Sequence, residues 1–169
     1  AIKFIDRVLG ASRLSLVGEA GVNYIGGISN DPGKTKYGRD SLFGQSPFAD
    51  GTCSSQTANN PLDLSPKADS WCETDGFYTD WSYGYRARAS LSYSNVFAGV
   101  NLTPNLAWSH DIEGYGPNFN EDAKSISIGL DADYANKYSA GISYTNFFDG
   151  KYNTNVDRDF ASVNFSVSF

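Results

Sequence analysis

KSISIGLDADYANKYSAGISYTNFF, residues 124–148, is the stretch that decides the fold. In its first part Ile126, Ile128, Leu130, Ala132 and Tyr134 alternate with Ser125, Ser127, Gly129, Asp131 and Asp133. An extended chain sends successive side chains to opposite faces, so this period of two is a strand with one apolar and one polar face. Ala135, Asn136 and Lys137 interrupt the pattern. Tyr138, Ala140, Ile142, Tyr144 and Phe148 then resume it opposite Ser139, Gly141, Ser143 and Thr145. Two such runs around a short break predict an antiparallel hairpin.

The same alternation recurs outward from this hairpin. Residues 12–24 place Leu14, Leu16, Gly18, Ala20, Val22 and Tyr24 opposite Arg13, Ser15, Glu19 and Asn23. Residues 80–93 place Trp81, Tyr83, Tyr85, Ala87, Ala89, Leu91 and Tyr93 opposite Arg86, Arg88 and several serines. Residues 98–109 and the terminal strand 160–169 follow suit, which makes six strands. Each is about 10 residues long, the span a tilted strand needs to cross a bilayer, against about 5–6 in soluble proteins. The strand charges, Arg13, Glu19, Arg86, Arg88, Lys124, Asp131 and Asp133, lie on or beside the polar faces.

Composition agrees with a membrane β-barrel. Aromatics reach 15% of the 169 residues, yet mean hydropathy is negative, as expected when lumen and loops are polar. The net charge of −6 and the lack of a basic stripe speak against a nucleic-acid partner. No apolar run approaches the length of a transmembrane helix.

The connections sort by length. Ser94–Asn95 and residues 135–137 read as tight turns, whereas residues 26–79, 110–123 and 149–158 are long. With the C-terminus in the periplasm, strand parity puts every short turn inside and every long loop outside, the asymmetry of outer-membrane barrels. The aromatics form two belts on the apolar faces. Tyr24, Trp81, Tyr83, Trp108, Tyr144 and Phe148 lie toward the long loops, and Tyr93, Tyr134, Tyr138 and Phe169 toward the short turns. Two belts about one hydrocarbon thickness apart are interfacial anchors against the lipid bilayer and lipopolysaccharide.

The fold expectation is therefore all-β: an antiparallel transmembrane barrel in the bacterial outer membrane, to which this chain supplies about six C-terminal strands. Six strands do not close such a barrel, and open strand edges in lipid would leave amides unpaired. With no methionine at position 1, the chain reads as a piece of a larger protein. Residues 1–11 do not alternate; Phe4, Ile5, Val8 and Leu9 fit a short helical turn in a periplasmic connector, or else the tail of a preceding strand.

The two cysteines, Cys53 and Cys72, both fall in the long 26–79 loop. An even pair in an exported protein is expected to form a structural disulfide. Catalysis is not expected: His110 is the only histidine, and no serine near an acid is singled out by a motif. No metal or other cofactor is expected, because the spacing of Asp111, Glu113, Glu121 and Asp122 matches no calcium loop. On the lumen side, pairing residue 12 with residue 93 puts Glu19 opposite Arg86, with Arg88 nearby. Together with Arg13, Asp131 and Asp133 these form a charged wall, either a constriction for solutes or a ladder of structural ion pairs.

VLGASRLSLVGEAGVNYI (residues 8–25) and AGISYTNFFDGKYNTNVDRDFASVNFSVSF (residues 140–169) resemble the C-terminal third of large outer-membrane proteins common in pseudomonads and related proteobacteria, catalogued as a domain of unknown function. The resemblance implies a much longer protein. It also implies, through association with exporters of the resistance–nodulation–division type, a pore or transport component for hydrophobic or lipid-like compounds. The rival expectation is a structural or surface-recognition barrel whose long loop binds a partner or phage. The terminal FSVSF, with Phe165, Val167 and Phe169 in phase, resembles the signal read by the barrel-assembly machinery.

Overall fold

The computed structural model describes residues 1–29, 31, 33–44, 46–52 and 72–169. Seven strands form one antiparallel sheet in chain order: β1 (Ile2–Val8), β2 (Ala11–Tyr24), β3 (Trp81–Phe97), β4 (Val100–Glu113), β5 (Lys124–Tyr134), β6 (Tyr138–Phe148) and β7 (Phe160–Val167). A single 3-10 turn, Ser41–Phe43, is the one helical element among the described residues. Strands β2 to β6 run 11 to 17 residues. Among the described residues no helix is long and apolar enough to cross a membrane.

Six expected strands become seven because residues 2–8 extend rather than coil. β1 pairs with β2 from Ile2↔Val17 to Asp6↔Arg13, and the Arg13 Nε donates to Asp6 Oδ1 at 2.9 Å. One turn of four apolar residues is too short to nucleate a helix on its own, whereas the open edge of β2 offers a ladder of backbone partners. β1 also inverts the phase of its neighbours. Ile2 and Phe4 stand with Val17 on the polar face, and Lys3 stands opposite Leu16 on the apolar one. Lys124, at the start of β5, likewise stands in phase with Ile126, where its Nζ donates to Asp122 and Asp149 at 2.7 and 2.9 Å.

The tight turn expected at Ser94–Asn95 lies further on, at Ala98 and Gly99, since β3 continues to Phe97. Asn95 does adopt the left-handed backbone of a turn residue (φ 52°), but as an irregularity in the ladder. Its Oδ1 accepts from Gly99 N, and its N–H donates to Asn101 Oδ1, both at 3.0 Å.

The three short connections, Leu9–Gly10, Ala98–Gly99 and 135–137, all fall at one end of the sheet, and the three long ones at the other. Each short turn opens with two residues at positive φ, the conformation that matches the twist of a hairpin. Ala135, at φ 53°, is poorly suited to it. Ala135→Gly is expected to raise stability by about 1 kcal/mol, read as a higher urea midpoint for the full-length protein.

The sheet has no core of its own. Its apolar face is open: Val163 is 79% exposed, Phe165 69%, Ile128 58% and Ile142 56%. Among the described residues the buried hydrophobics are Ala11, Phe43, Tyr115, Phe119 and Tyr152, and all but Ala11 belong to the long connections. Apolar burial has thus moved off the strands and into the loops.

Candidate functional site

The long connections fold over the polar face as one cap. Phe43 is the centre, completely buried, with its ring 5.4 Å from that of Tyr152, edge to face. Tyr115 packs on Tyr152 at 5.7 Å, and Tyr78 closes the cluster. Backbone and side-chain hydrogen bonds stitch the loops together. Thr79 N–H donates to Tyr115 O, and Tyr115 N–H returns to Thr79 Oγ1, each at 3.0 Å. Asn120 Nδ2 donates to Tyr152 O at 2.9 Å, which joins the second loop to the third. The Arg39 guanidinium donates to the carbonyls of Glu73, Asp75 and Gly44 and lies 4.0 Å above the Phe77 ring.

Glu73 ties the first loop to the third. Its carboxylate receives Lys151 Nζ at 2.8 Å and the hydroxyl of Tyr152. Burial by itself would raise the Glu73 pKa, but the hydrogen bonds and charge of Lys151, the Tyr152 hydroxyl and the Arg39 charge hold it below its ordinary value. Tyr152, buried and bonded to that carboxylate, is pushed up. A carboxyl lowered by folding stabilises above its unfolded pKa of about 4.3 and loses that contribution as pH falls through the folded value. Amide protection in residues 73–79 and 150–155 is therefore expected to decline below about pH 4, and Glu73→Gln to remove that dependence.

Beneath the cap, Phe119 lies on a floor of two glycines. A Cβ at Gly21 would sit 3.0 Å from its Cζ; one at Gly84 would sit 3.0 Å from its Cδ1 and 2.6 Å from His110 O. Any larger residue at Gly84 would lift the ring or break the strand pairing. Arg86 lies 5.6 Å from the Phe119 ring centre and reaches the buried Asp111 at 3.5 Å. Asp111 also accepts the Asn120 N–H at 3.0 Å. Against this group lies a cavity of about 370 Å³ lined by Arg86, Ser109, Asn118, Phe119, Ser125, Phe147, Thr154 and Asn155 among others.

The charged residues of the polar face are brought only partly together. Glu19 stands opposite Arg86 in the register as the strand phase required. The guanidinium, however, goes to Asp111, which the regular β3–β4 ladder sets opposite Gly84, diagonal to Arg86. Glu19 and Arg88 have no ion pair within 4 Å among the described residues. Arg13 pairs with Asp6 on the inverted strand, and Asp131 accepts Asn105 Nδ2 at 3.0 Å. Asp133 lies lower on β5, opposite Asn101. Hydroxyl ladders fill the rest: Ser109 with Ser125, Ser143 with Ser162, and Thr145 with Ser127, at 2.7 to 2.9 Å.

The aromatic belts are legible on the opposite face. Tyr24 and Trp81 rings lie 4.7 Å apart; Trp108 contacts Phe148 at 5.9 Å and donates Nε1 to the Tyr85 hydroxyl at 3.1 Å. Tyr83 and Tyr144 point their hydroxyls at Glu113 and Asp159, both at 2.7 Å. At the short-turn end Tyr134 and Tyr138 stack at 6.3 Å, and Tyr93 donates to Leu9 O at 3.1 Å. Phe165 is in phase with the exposed row, Val167 pairs with Tyr138 at the end of β7, and Phe169 lies beyond it, fully exposed. Cys53 falls outside the described residues, and Cys72 adjoins the anchored Glu73.

Phe43, Tyr115, Phe119, Tyr152, Arg39 and Glu73 were not singled out by sequence reasoning. The available signal was the run of aromatics in loops otherwise rich in Gly, Asn and Ser, which solvated loops do not need.

Fold and site together define an all-β protein: one up-and-down antiparallel sheet with a polar face roofed at one end by its own loops. By sequence, residues 2–169 match the family described as "Protein of unknown function (DUF1302)", and the chain belongs to it. No curated protein and no solved structure matches the chain.

Proposed function

We propose that the chain is wall and mouth of an outer-membrane β-barrel that serves as a pore or transport component, lying in lipid and lipopolysaccharide and inserted by the barrel-assembly machinery. One observation carries this reading: the apolar face is exposed along its length and bordered by aromatic rows, while the buried aromatic cluster sits in the loops. A soluble sheet leaves no patch of that extent facing water, whereas lipid solvates it without cost. The polar face, with its hydroxyl ladders and charged rows, then lines the conduit. Of the cargo implied by family resemblance, hydrophobic compounds and an exporter partner, the apolar strip Ile2, Phe4 and Val17 is the supporting feature on that face. The direct test is conductance of the full-length protein in planar bilayers. Discrete openings are expected; a lumen closed at every voltage and salt concentration overturns the pore.

The cap supports a second reading, surface recognition, because a packed platform at the long-loop end presents a fixed shape. Excising residues 53–71 would abolish partner or phage binding on that reading and leave conductance intact. We also propose a Cys53–Cys72 disulfide in the first loop, worth about 3 kcal/mol by chain entropy. Mass spectrometry of protein from native membranes is expected to find no free thiol, and two alkylated cysteines would refute the bridge.

A further inference from the structure

We propose that the cavity beneath the cap binds an uncharged saccharide. The proposal draws on the pore reading only to place this site at the conduit's mouth. Its argument begins with charge. Arg86 is held by Asp111, and Lys124 is turned outward to Asp122 and Asp149, so the charged groups at the wall are already matched. An ionic ligand would find no counter-charge there. A purely apolar ligand would cover the polar ends of Thr154 and Asn155 without offering them hydrogen bonds, which is costly.

What remains is a neutral ligand with many hydroxyls and an apolar flank. A pyranose has both: C–H bonds on its faces and donor–acceptor hydroxyls around its edge. The wall is complementary. Phe147 lies on the polar face of β6, where strand alternation alone gives no reason for an aromatic ring, Phe119 reaches the same face from the second loop, and both line the cavity. The carboxamides of Asn118 and Asn155 stand at the rim, exposed, each able to donate and accept at adjacent atoms. Phe147 is only partly buried and is the ring whose face is open to a sugar, while Phe119, buried on its glycine floor and beside Arg86, backs the wall and keeps its shape in place. The cavity's 370 Å³ is near the lower end of the about 300–1000 Å³ typical of small-molecule sites. That suits one or two sugar rings.

The test is isothermal titration of the full-length protein in an amine-oxide detergent, which carries no sugar headgroup, with maltose, and with polyethylene glycol of equal mass as control. Millimolar binding of maltose and none of the glycol is expected. Thr154→Trp, which fills the cavity, should abolish binding while hydrogen exchange in the cap stays as in the wild type. Asn155→Ala, at an exposed side chain that the fold does not need, should weaken binding roughly tenfold. Absence of maltose binding, or binding unchanged in both variants, overturns the site. Conductance without saccharide binding would sink this site and spare the pore; saccharide binding without conductance would do the reverse.

Discussion

Val163→Arg is expected to destabilise the full-length protein in lipid vesicles by about 2–4 kcal/mol, and Asn164→Arg by no more than about 0.5 kcal/mol. The two residues are neighbours on β7 and point to opposite faces. Val163 pairs with Ile142, whose row continues through Leu130 to Pro104, midway between the Tyr134–Tyr138 row and the Trp108–Phe148 belt. An arginine there stands where hydrocarbon would be deepest and has the longest way to reach an interface. Asn164 lies on the polar face beside Gly141, among groups that hydrate or hydrogen-bond a guanidinium. Urea titrations followed by tryptophan fluorescence give both values. Equal small effects would mean that the apolar face meets water, because Val163 is 79% exposed and in water its replacement by arginine disturbs almost nothing. That outcome would remove the membrane reading and the pore with it.

The strands were legible where sequence phase and sheet phase coincide. From β2 to β6 the alternation carried the faces, and the Glu19↔Arg86 register followed from it. β1 escaped because its phase is inverted: Ile2 and Phe4 share the polar face, so its apolar residues do not extend the neighbouring pattern. Asn95 was misread for a related reason. Its left-handed backbone is a turn signal, but the structure uses it inside the ladder and turns at Ala98 and Gly99 instead. The cap was not legible at all. Phe43, Tyr115 and Tyr152 come from three separate loops, and only the sheet's parity, which gathers those loops at one end, brings them together. Arg86 shows the same limit on a smaller scale. The β2–β3 register supplied Glu19 as its partner on one side, and the β3–β4 register, not drawn on by sequence reasoning for this residue, places Asp111 diagonal to it on the other.

Because apolar burial lies in the cap and the strand ladders lie elsewhere, the two should come apart. Phe43→Ala tests this. The ring is wholly buried between Tyr152, Tyr115 and Tyr78, and removing so large a buried side chain costs about 3–5 kcal/mol where the site cannot collapse. Collapse is hindered here, since Tyr152 is fixed by Glu73 and by Asn120, and Tyr115 by Thr79. The loss falls on the loops rather than on the whole molecule: local opening, not global unfolding. Hydrogen exchange is expected to rise in residues 37–44, 73–79, 114–120 and 150–155, while amides of β4, β5 and β6 keep their protection. Uniform loss across the strands would show that cap and sheet fold as one unit. No change anywhere would show that the aromatic cluster holds nothing together. If the cap alone opens, Phe119 loses the loops around it while its glycine floor remains, so the roof over the polar face becomes the mobile part and the wall the fixed one. On the pore reading, the same variant in a bilayer should then flicker between conductance levels that the wild type does not visit, which would tie the packing of one loop phenylalanine to gating.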